Sequence, residues 1–221
     1  MAVRADHLRS ATGRLLAPTD TPHAVTLALV IQPRLALSGS AGTGKTTLGR
    51  RLAAELGIPY IEEGMRRRIE QGLAWHELRR DQQLALIEEL WAEQLAAEEA
   101  APDGFVADRS SYDYAAFWLH YDFHADRLDT SDRFEAWCAA GQRYDRILLL
   151  PWGVLPLEAD GVRSPNRFVQ LRYQGILEAV IRHHAAEGQV HAIGNTMDLE
   201  ERVRAALASL DRGDGGQAPA S

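Results

Sequence analysis

The sequence has one cysteine in 221 residues, which excludes an intramolecular disulfide framework and a cysteine-based zinc site. That residue, Cys138, follows Phe134-Glu135-Ala136-Trp137 and reads as a small buried hydrophobe rather than a nucleophile. Long apolar runs are missing too. Ala24 to Ile31 is far too short to span a bilayer and has no small-residue cleavage site after it, so the expectation is a cytoplasmic protein without a signal peptide. Basic charge is in deficit: 24 Lys and Arg against 31 Asp and Glu leave a net charge of -7, so charge supplies no basis for polynucleotide binding. The two basic runs, Arg66-Arg67-Arg68 and Arg79-Arg80, are surrounded by acids and suit a small anion or a solvated helix face. The histidines show no metal-ligand spacing, since the adjacent His183 and His184 point to different faces of a helix. No internal repeat and no clear second domain is present.

What the chain does have is Gly39-Ser40-Ala41-Gly42-Thr43-Gly44-Lys45-Thr46, a full G-x-x-x-x-G-K-[ST] phosphate-binding loop. A short apolar stretch, Arg34 to Ser38, precedes it, and Thr47 to Leu56 follows with apolar residues at helical spacing. Strand, glycine turn and helix together are the context the motif needs. The glycines let the backbone N–H groups of residues 39 to 47 turn inward to phosphate oxygens, and the helix N-terminus adds partial positive charge. Lys45 supplies a mobile charge for the β- and γ-phosphates, and the Thr46 hydroxyl suits Mg²⁺. The expected ligand is therefore a nucleoside triphosphate with its magnesium ion, held by Gly39, Ser40, Ala41, Gly42, Thr43, Gly44, Lys45, Thr46 and Thr47.

Beyond the loop, strands and helices alternate. Ile58 to Ile61, Phe105 to Ala107, Arg146 to Leu150 and Val190 to Ile193 read as further strands. Helices are expected over Met65 to Gly72, Glu77 to Ala100, Tyr112 to His120, Ser131 to Ala140, Phe168 to Glu187 and Asp198 to Leu210. In the longest of these, Leu84, Ile87, Leu90 or Trp91, Gln94 and Leu95 repeat near the helical period. Five strands interleaved with helices specify an α/β three-layer sandwich, a parallel sheet covered on both faces, with ligands at the carboxyl ends of the strands. The expected organisation is an N-terminal extension over residues 1–32, this domain over 33–210, and a flexible tail over 211–221. Whether Ala24 to Ile31 adds an edge strand or a covering segment is left open by the residues.

Polar residues stand at those carboxyl ends. Asp108 closes the third strand, where it could hold Mg²⁺ through a water, accept a proton, or cap the following helix. Arg109 could clamp substrate or phosphate, or pair with Glu62 or Glu63. Glu63 and Arg66 share a face if a helix has begun there; the carboxylate could activate an acceptor hydroxyl, bind a ribose diol, or form a surface ion pair. Arg163, after a loop rich in Pro, Gly and Trp, could reach over the transferred phosphate, with Asp160 positioning it. Gly194-Asn195 follows the last strand, and Asn195 joins the candidate nucleotide contacts. Trp75, Tyr112, Phe117, Trp118 and Tyr121 could line an acceptor pocket or serve as plain core.

With these residues placed, the chain resembles P-loop kinases of the ribosylnicotinamide-kinase type. That domain stands at the C-terminus of the bacterial NAD-biosynthesis regulator and in stand-alone AAA-like ATPases. The resemblance covers about residues 34 to 208 and rests on the phosphate loop, Glu63-Gly64-Met65-Arg66, Asp81-Gln82-Gln83 to Gln94, and Phe105-Val106-Ala107-Asp108-Arg109. Further on it rests on Tyr144-Asp145-Arg146-Ile147, Asp160-Gly161-Val162-Arg163, and Gly194 before Glu201-Arg202-Val203. Asp108-Arg109-Ser110 is also similar to a motif of deoxynucleoside kinases. The resemblance implies ATP·Mg²⁺ as donor, a nucleoside-like hydroxyl as acceptor, and Arg163 in a lid. The segment before residue 33 matches neither a helix-turn-helix nor an adenylyltransferase domain, so the multifunctional regulator is not reproduced. The expected activity is ATP- and Mg²⁺-dependent phosphoryl transfer to a small molecule, with Lys45, Asp108, Glu63 and Arg163 catalytic. Glu63, Arg66 and Arg109 are expected at the substrate, and Thr46 with Asp108 at the metal. The competing expectations are an ATPase switch that binds a protein, a kinase of an antibiotic or other secondary metabolite, and a domain that binds nucleotide without turnover.

Overall fold

The computed structural model describes residues 32–125, 131–156 and 166–211. Five parallel strands form one sheet in the order β2-β3-β1-β4-β5. They are β1 (Arg34–Ser38), β2 (Tyr60–Ile61), β3 (Phe105–Ala107), β4 (Arg146–Leu149) and β5 (Val190–Ala192). Ala36 pairs with Ala107 on one side and Ile147 on the other, so β1 is central and both flanking strands end beside its carboxyl end.

Each central strand is apolar at consecutive positions because the sheet is buried on both faces. Alternate side chains go to opposite cores. Leu35, Leu37, Val106 and Leu148 join one cluster with Leu48, Leu52, Val203 and Ala206, from α1 (Lys45–Leu56) and α7 (Leu199–Leu210). Ala36, Phe105, Ala107 and Ile147 join the other, against α3 (Arg80–Glu99), α4 (Ser111–His120), α5 (Ser131–Ala140) and α6 (Arg167–His184). The short α2 (Gly64–Glu70) follows β2. The result is the three-layer α/β sandwich of P-loop, nucleotide-kinase-like proteins. Cys138 is buried and unpaired, and burial pushes its thiol up to about 12.

Several boundaries differ from the periodicity, three of them as follows. The long helix starts at Arg80 instead of Glu77, because Trp75–Glu77 form a separate 3-10 turn. Arg79 is extended there and donates its N–H to Gln82 Oε1 at 3.0 Å, which caps the new helix. The buried positions of α3 are Leu86, Ile87, Leu90, Gln94 and Glu98. Two of these are polar because Gln94 Nε2 donates to Arg109 O at 2.8 Å and Glu98 Oε1 accepts from Tyr144 Oη at 2.9 Å. Helix α6 ends at His184, three residues short of Glu187, where Ala185 turns extended. The second strand keeps only Tyr60 and Ile61 of the expected four residues. Among the described residues, no helix is long and apolar enough to cross a membrane. Residues 1–31 and 212–221, which hold nearly all of the expected extension and tail, lie outside the described residues, as do Asp160 and Arg163.

Candidate active site

The phosphate loop turns sharply from β1 into α1. Gly44 caps α1 with φ 85°; a Cβ there would lie 2.8 Å from Leu155 Cδ1 and 3.0 Å from Arg202 Nη1, so both backbone and space demand glycine. Ala41, Gly42, Gly44, Lys45, Thr46 and Thr47 line a polar cleft of about 520 Å³. Ser40 and Thr43 are buried behind it, where Thr43 Oγ1 donates to Ser40 O at 3.0 Å. Helices from the far end of the chain hold the loop. Ser40 N–H donates to Gln174 Oε1 at 2.8 Å and Ala41 N–H to Gln170 Oε1 at 3.2 Å. Arg202 Nη1 donates to Thr43 O at 2.8 Å while its Nε donates to Thr196 O at 2.7 Å.

Lys45 is buried, and its Nζ donates to Gly39 O at 2.9 Å and Ser40 O at 2.8 Å. Burial, together with the nearby charge of Arg109, lowers its pKa to about 8. Two carbonyls satisfy the ammonium without neutralising it, so its charge stays available to an anion in the cleft.

Asp108 stands one residue beyond β3. Its Oδ2 accepts from Thr46 Oγ1 at 2.6 Å and from Tyr60 Oη at 2.7 Å, whereas its Oδ1 is buried with no partner. Burial raises the carboxyl above its usual range; burial and the Asp108 charge also raise the Tyr60 phenol. Tyr60 reaches Asp108 because Gly49 leaves room: a Cβ at Gly49 would sit 2.7 Å from Tyr60 Cε2. An orphaned carboxylate oxygen beside a threonine hydroxyl is a pair of hard oxygens of the kind Mg²⁺ takes, with waters completing its shell. Among the described residues there is no cluster of three or more His, Cys, Asp or Glu, so a cation here would have few protein ligands. The helix after Asp108 is capped by Ser110, whose N–H donates to Asp113 Oδ2 at 3.0 Å. Asp108 is thus free of the capping role.

A second buried network begins at Arg109. Its Nε donates to Glu63 Oε1 at 2.6 Å and its Nη1 to Asp113 Oδ1 at 3.0 Å. Tyr173 Oη donates to the same Asp113 oxygen at 3.0 Å. Burial opposes the charge of Arg109, but Glu63, Tyr173 and Asp113 outweigh it, so its pKa is raised. The guanidinium lies 4.8 Å from the Phe117 ring centroid, a cation–π contact. Glu63 is the residue before α2 and Arg66 lies in its first turn, so both reach the same space.

That space is a cavity of about 280 Å³ adjoining the polar cleft. Met65, Ile69, Ile87 and Leu90 supply apolar walls, and Trp75 and Tyr121, with ring centroids 4.9 Å apart, supply an aromatic one. Ala41, Glu63, Arg66 and Arg109 line both spaces. Of the five aromatics the sequence offers, Trp75, Phe117 and Tyr121 line the cavity, while Tyr112 and Trp118 belong to the core.

The structure therefore brings together Lys45, Thr46, Asp108, Glu63, Arg66 and Arg109. Asn195 is exposed in the loop after β5 and lines neither space. Sequence reasoning missed Tyr60, Asp113, Gln170, Gln174 and Arg202. Asp113 had a signal, since Ser110-x-x-Asp113 has the form of a capping box. Arg202 stood in the Glu201-Arg202-Val203 stretch of the resemblance without a role, and the two glutamines had no signal, being polar residues on an amphipathic helix more than a hundred positions from the loop they hold.

Similar architectures occur among solved structures. NadR protein in complex with NR is 21% identical with a TM-score of 0.64, over 86% of this chain and 53% of that one. NadR in complex with NAD and AMP-PNP is 19% identical, TM-score 0.56, over 86% and 52%. Deoxyadenosine kinase from M. mycoides, with products dcmp and dcdp bound, is 13% identical, TM-score 0.60, over 80% and 98%. The chain thus spans about half the length of NadR, and at these identities the likeness is one of fold. No curated protein matches the sequence. The model of the AAA domain family matches residues 34–202, a span that runs from the first residue of β1 through the phosphate loop to Arg202, which pins that loop; the chain belongs to this family.

Proposed function

We propose that the protein transfers the γ-phosphoryl group of ATP, as its magnesium complex, to a hydroxyl of a small, nucleoside-like molecule. The observation that carries this reading is the pair of adjoining spaces: a polar cleft at the phosphate loop and a small apolar cavity, sharing Ala41, Glu63, Arg66 and Arg109 as their boundary. Triphosphate in the cleft and acceptor in the cavity would place donor and hydroxyl on either side of that boundary. Catalysis of this kind comes mostly from positioning and charge stabilisation.

In this reading Gly39 to Thr47 hold the triphosphate, and Lys45 stays with the β- and γ-phosphates through transfer. Thr46 and Asp108 would hold Mg²⁺, which supplies Lewis-acid polarisation of the phosphate oxygens. Glu63 lines both spaces and Asp108 lines neither, which favours Glu63 over Asp108 as the partner of the acceptor hydroxyl. The acceptor oxygen forms a bond to the γ-phosphorus, and the bond to the β–γ bridging oxygen breaks with its electron pair leaving on ADP. The hydroxyl proton passes to Glu63 and then to water. Arg109 holds Glu63 in place, and Arg66 faces the departing charge. Arg163, outside the described residues, keeps the lid role its sequence setting suggests.

A small apolar and aromatic cavity favours a small acceptor over a protein partner. The test follows ADP release from MgATP against a panel of nucleosides that includes nicotinamide riboside, with Lys45→Ala protein as the blank. Stimulation by an acceptor, with its phosphorylated product seen by mass, is the expected result. Slow release indifferent to every acceptor would refute the reading. Turnover restricted to other hydroxylated ring compounds would move the acceptor to the secondary metabolites.

A further inference from the structure

Two side chains of α6 reach the phosphate loop from far along the chain. Gln170 and Gln174 lie one helical turn apart on the same face of α6, and they are 7% and 3% exposed. Gln174 Oε1 accepts the Ser40 N–H at 2.8 Å, and Gln170 Oε1 accepts the Ala41 N–H at 3.2 Å. The amide of Gln174 has one workable orientation, because its Nε2 donates to Leu150 O at 3.2 Å and to Glu178 Oε1 at 2.8 Å. A carbonyl such as Leu150 O only accepts, so the amide oxygen must face the loop.

The N–H of Ser40 and the C=O of Gly39 belong to one peptide unit, and the N–H of Ala41 and the C=O of Ser40 belong to the next. Both units are trans, and a planar trans unit points its N–H and its C=O in opposite directions. Those two carbonyls are the ones that hold Lys45, whose Nζ donates to Gly39 O at 2.9 Å and to Ser40 O at 2.8 Å. Ser40 O also accepts from Thr43 Oγ1 at 3.0 Å. Each glutamine thus holds the back of a peptide unit whose front holds the ammonium. An ammonium has three hydrogens in tetrahedral array. With two directed at fixed carbonyls, the direction of the third is fixed as well, and it is the one left for a phosphate oxygen in the cleft that Lys45 lines.

Resting on the kinase reading above, we propose that Gln170 and Gln174 are positioning residues for phosphoryl transfer, which aim the Lys45 ammonium by fixing the two peptide units that hold it. Charge stabilisation of a transferring phosphoryl group depends on donors fixed in advance of the reaction. Without its glutamine, a peptide unit loses the acceptor for its N–H and is free to tilt, and its carbonyl no longer sets the direction of the ammonium.

Gln174 lines neither the cleft nor the acceptor cavity, so Gln174→Met, which keeps the length of the side chain and removes the acceptor, reaches the reaction only through the loop. Its kcat should fall about tenfold, the scale of one lost hydrogen bond, while the acceptor KM changes little. Gln170→Met should lower kcat in the same way and serves if Gln174→Met does not fold. The chain has a single lysine, so protein made with ¹⁵N,¹³C-lysine gives one side-chain signal, that of Lys45. The signal should move in both variants, whereas loss of a residue that supports only the helix would leave it in place. A cycle with Lys45→Met, read as MgATP Kd by calorimetry, checks the route: each glutamine variant should raise the Kd when Lys45 is present and add little once it is gone. In the unaltered protein the Ser40 and Ala41 amides should be protected from hydrogen exchange, a measure independent of how the variants fold. An unchanged kcat, an unmoved lysine signal, a Kd penalty as large without Lys45 as with it, or free exchange of the two amides overturns the assignment. ATP turnover indifferent to every acceptor overturns the kinase reading alone, and the lysine signal and the MgATP cycle then decide the positioning role.

Discussion

Raising the pH above 8 should weaken triphosphate binding, because it removes the Lys45 proton from the empty protein but not from the complex. In the empty protein the Lys45 pKa lies at about 8, lowered from its ordinary 10.5 chiefly by burial. Phosphate oxygens in the cleft favour the ammonium and return its pKa toward or above the ordinary value. Below pH 8 the proton is present in both states, and affinity is independent of this group. Above it, binding must take up one proton, so affinity falls about tenfold per pH unit, or about 1.4 kcal/mol. Folding has the opposite dependence: between pH 8 and 10.5 the unfolded chain keeps a proton that the empty folded chain has lost. The desolvation cost of Lys45 is therefore present below pH 8 and relieved as pH rises through that window. Calorimetric titration with MgATP in two buffers of different ionisation enthalpy reads the uptake directly. Uptake near zero at about pH 7 and approaching one proton at about pH 9 is expected, and Lys45→Met should abolish the difference. Equal affinity at both pH values, with no proton uptake by the unaltered protein, would refute the reasoning.

Asp108→Asn keeps the shape of the side chain but removes the charge beside Thr46; turnover should fall about a hundredfold or more and the Mg²⁺ requirement should rise, as read by steady-state rates over a Mg²⁺ titration. Activity within threefold of the unaltered protein would count against the metal assignment. Tyr60→Phe removes the hydroxyl that donates to Asp108 at 2.7 Å, so stability should drop by about 1 kcal/mol in urea titrations. Gly49→Ala places a Cβ 2.7 Å from Tyr60 Cε2 and 3.0 Å from Leu37 Cδ1. Overpacking of that kind should cost about 1–3 kcal/mol, measured as a lower thermal midpoint, and an unchanged midpoint would show that Tyr60 moves aside freely.

The sheet could be read in advance because its signals are local. Leu35-Ala36-Leu37, Phe105-Val106-Ala107 and Ile147-Leu148-Leu149 are apolar at consecutive positions; the first two run into Ser38 and Asp108, and the third is closed by Pro151. Helix α4 was placed correctly, but its faces were not legible. Tyr112, Tyr114, Ala115 and Ala116 are all buried, so hydrophobic periodicity carries no direction there. Tyr112 Oη donates to His184 O at 3.1 Å, away from the cavity, while Tyr114 lines it. Gln94 falls on the apolar stripe of the long helix by its period and is buried there, whereas Glu98 was opaque, since a buried polar residue off the expected stripe is recognised only by the partner it meets.

The phosphate loop, its flanking strand and helix, and the alternation that makes a doubly covered parallel sheet are properties of short stretches of chain, and the sequence alone determined them. Backbone conformation and burial period act over a few residues, so they leave a local trace. The tertiary structure decided which charges neutralise one another and what the cavity presents. Arg109 could have met Glu62 or Glu63; the fold gave it Glu63 and paired Glu62 with Arg50. Gln170, Gln174 and Arg202 hold the loop, and Nδ1 of His120 is left buried without a hydrogen-bond partner. Those outcomes depend on where α4, α6 and α7 come to rest against the sheet, because a hydrogen bond forms only within about 3 Å and in line, however far apart its partners lie in the chain.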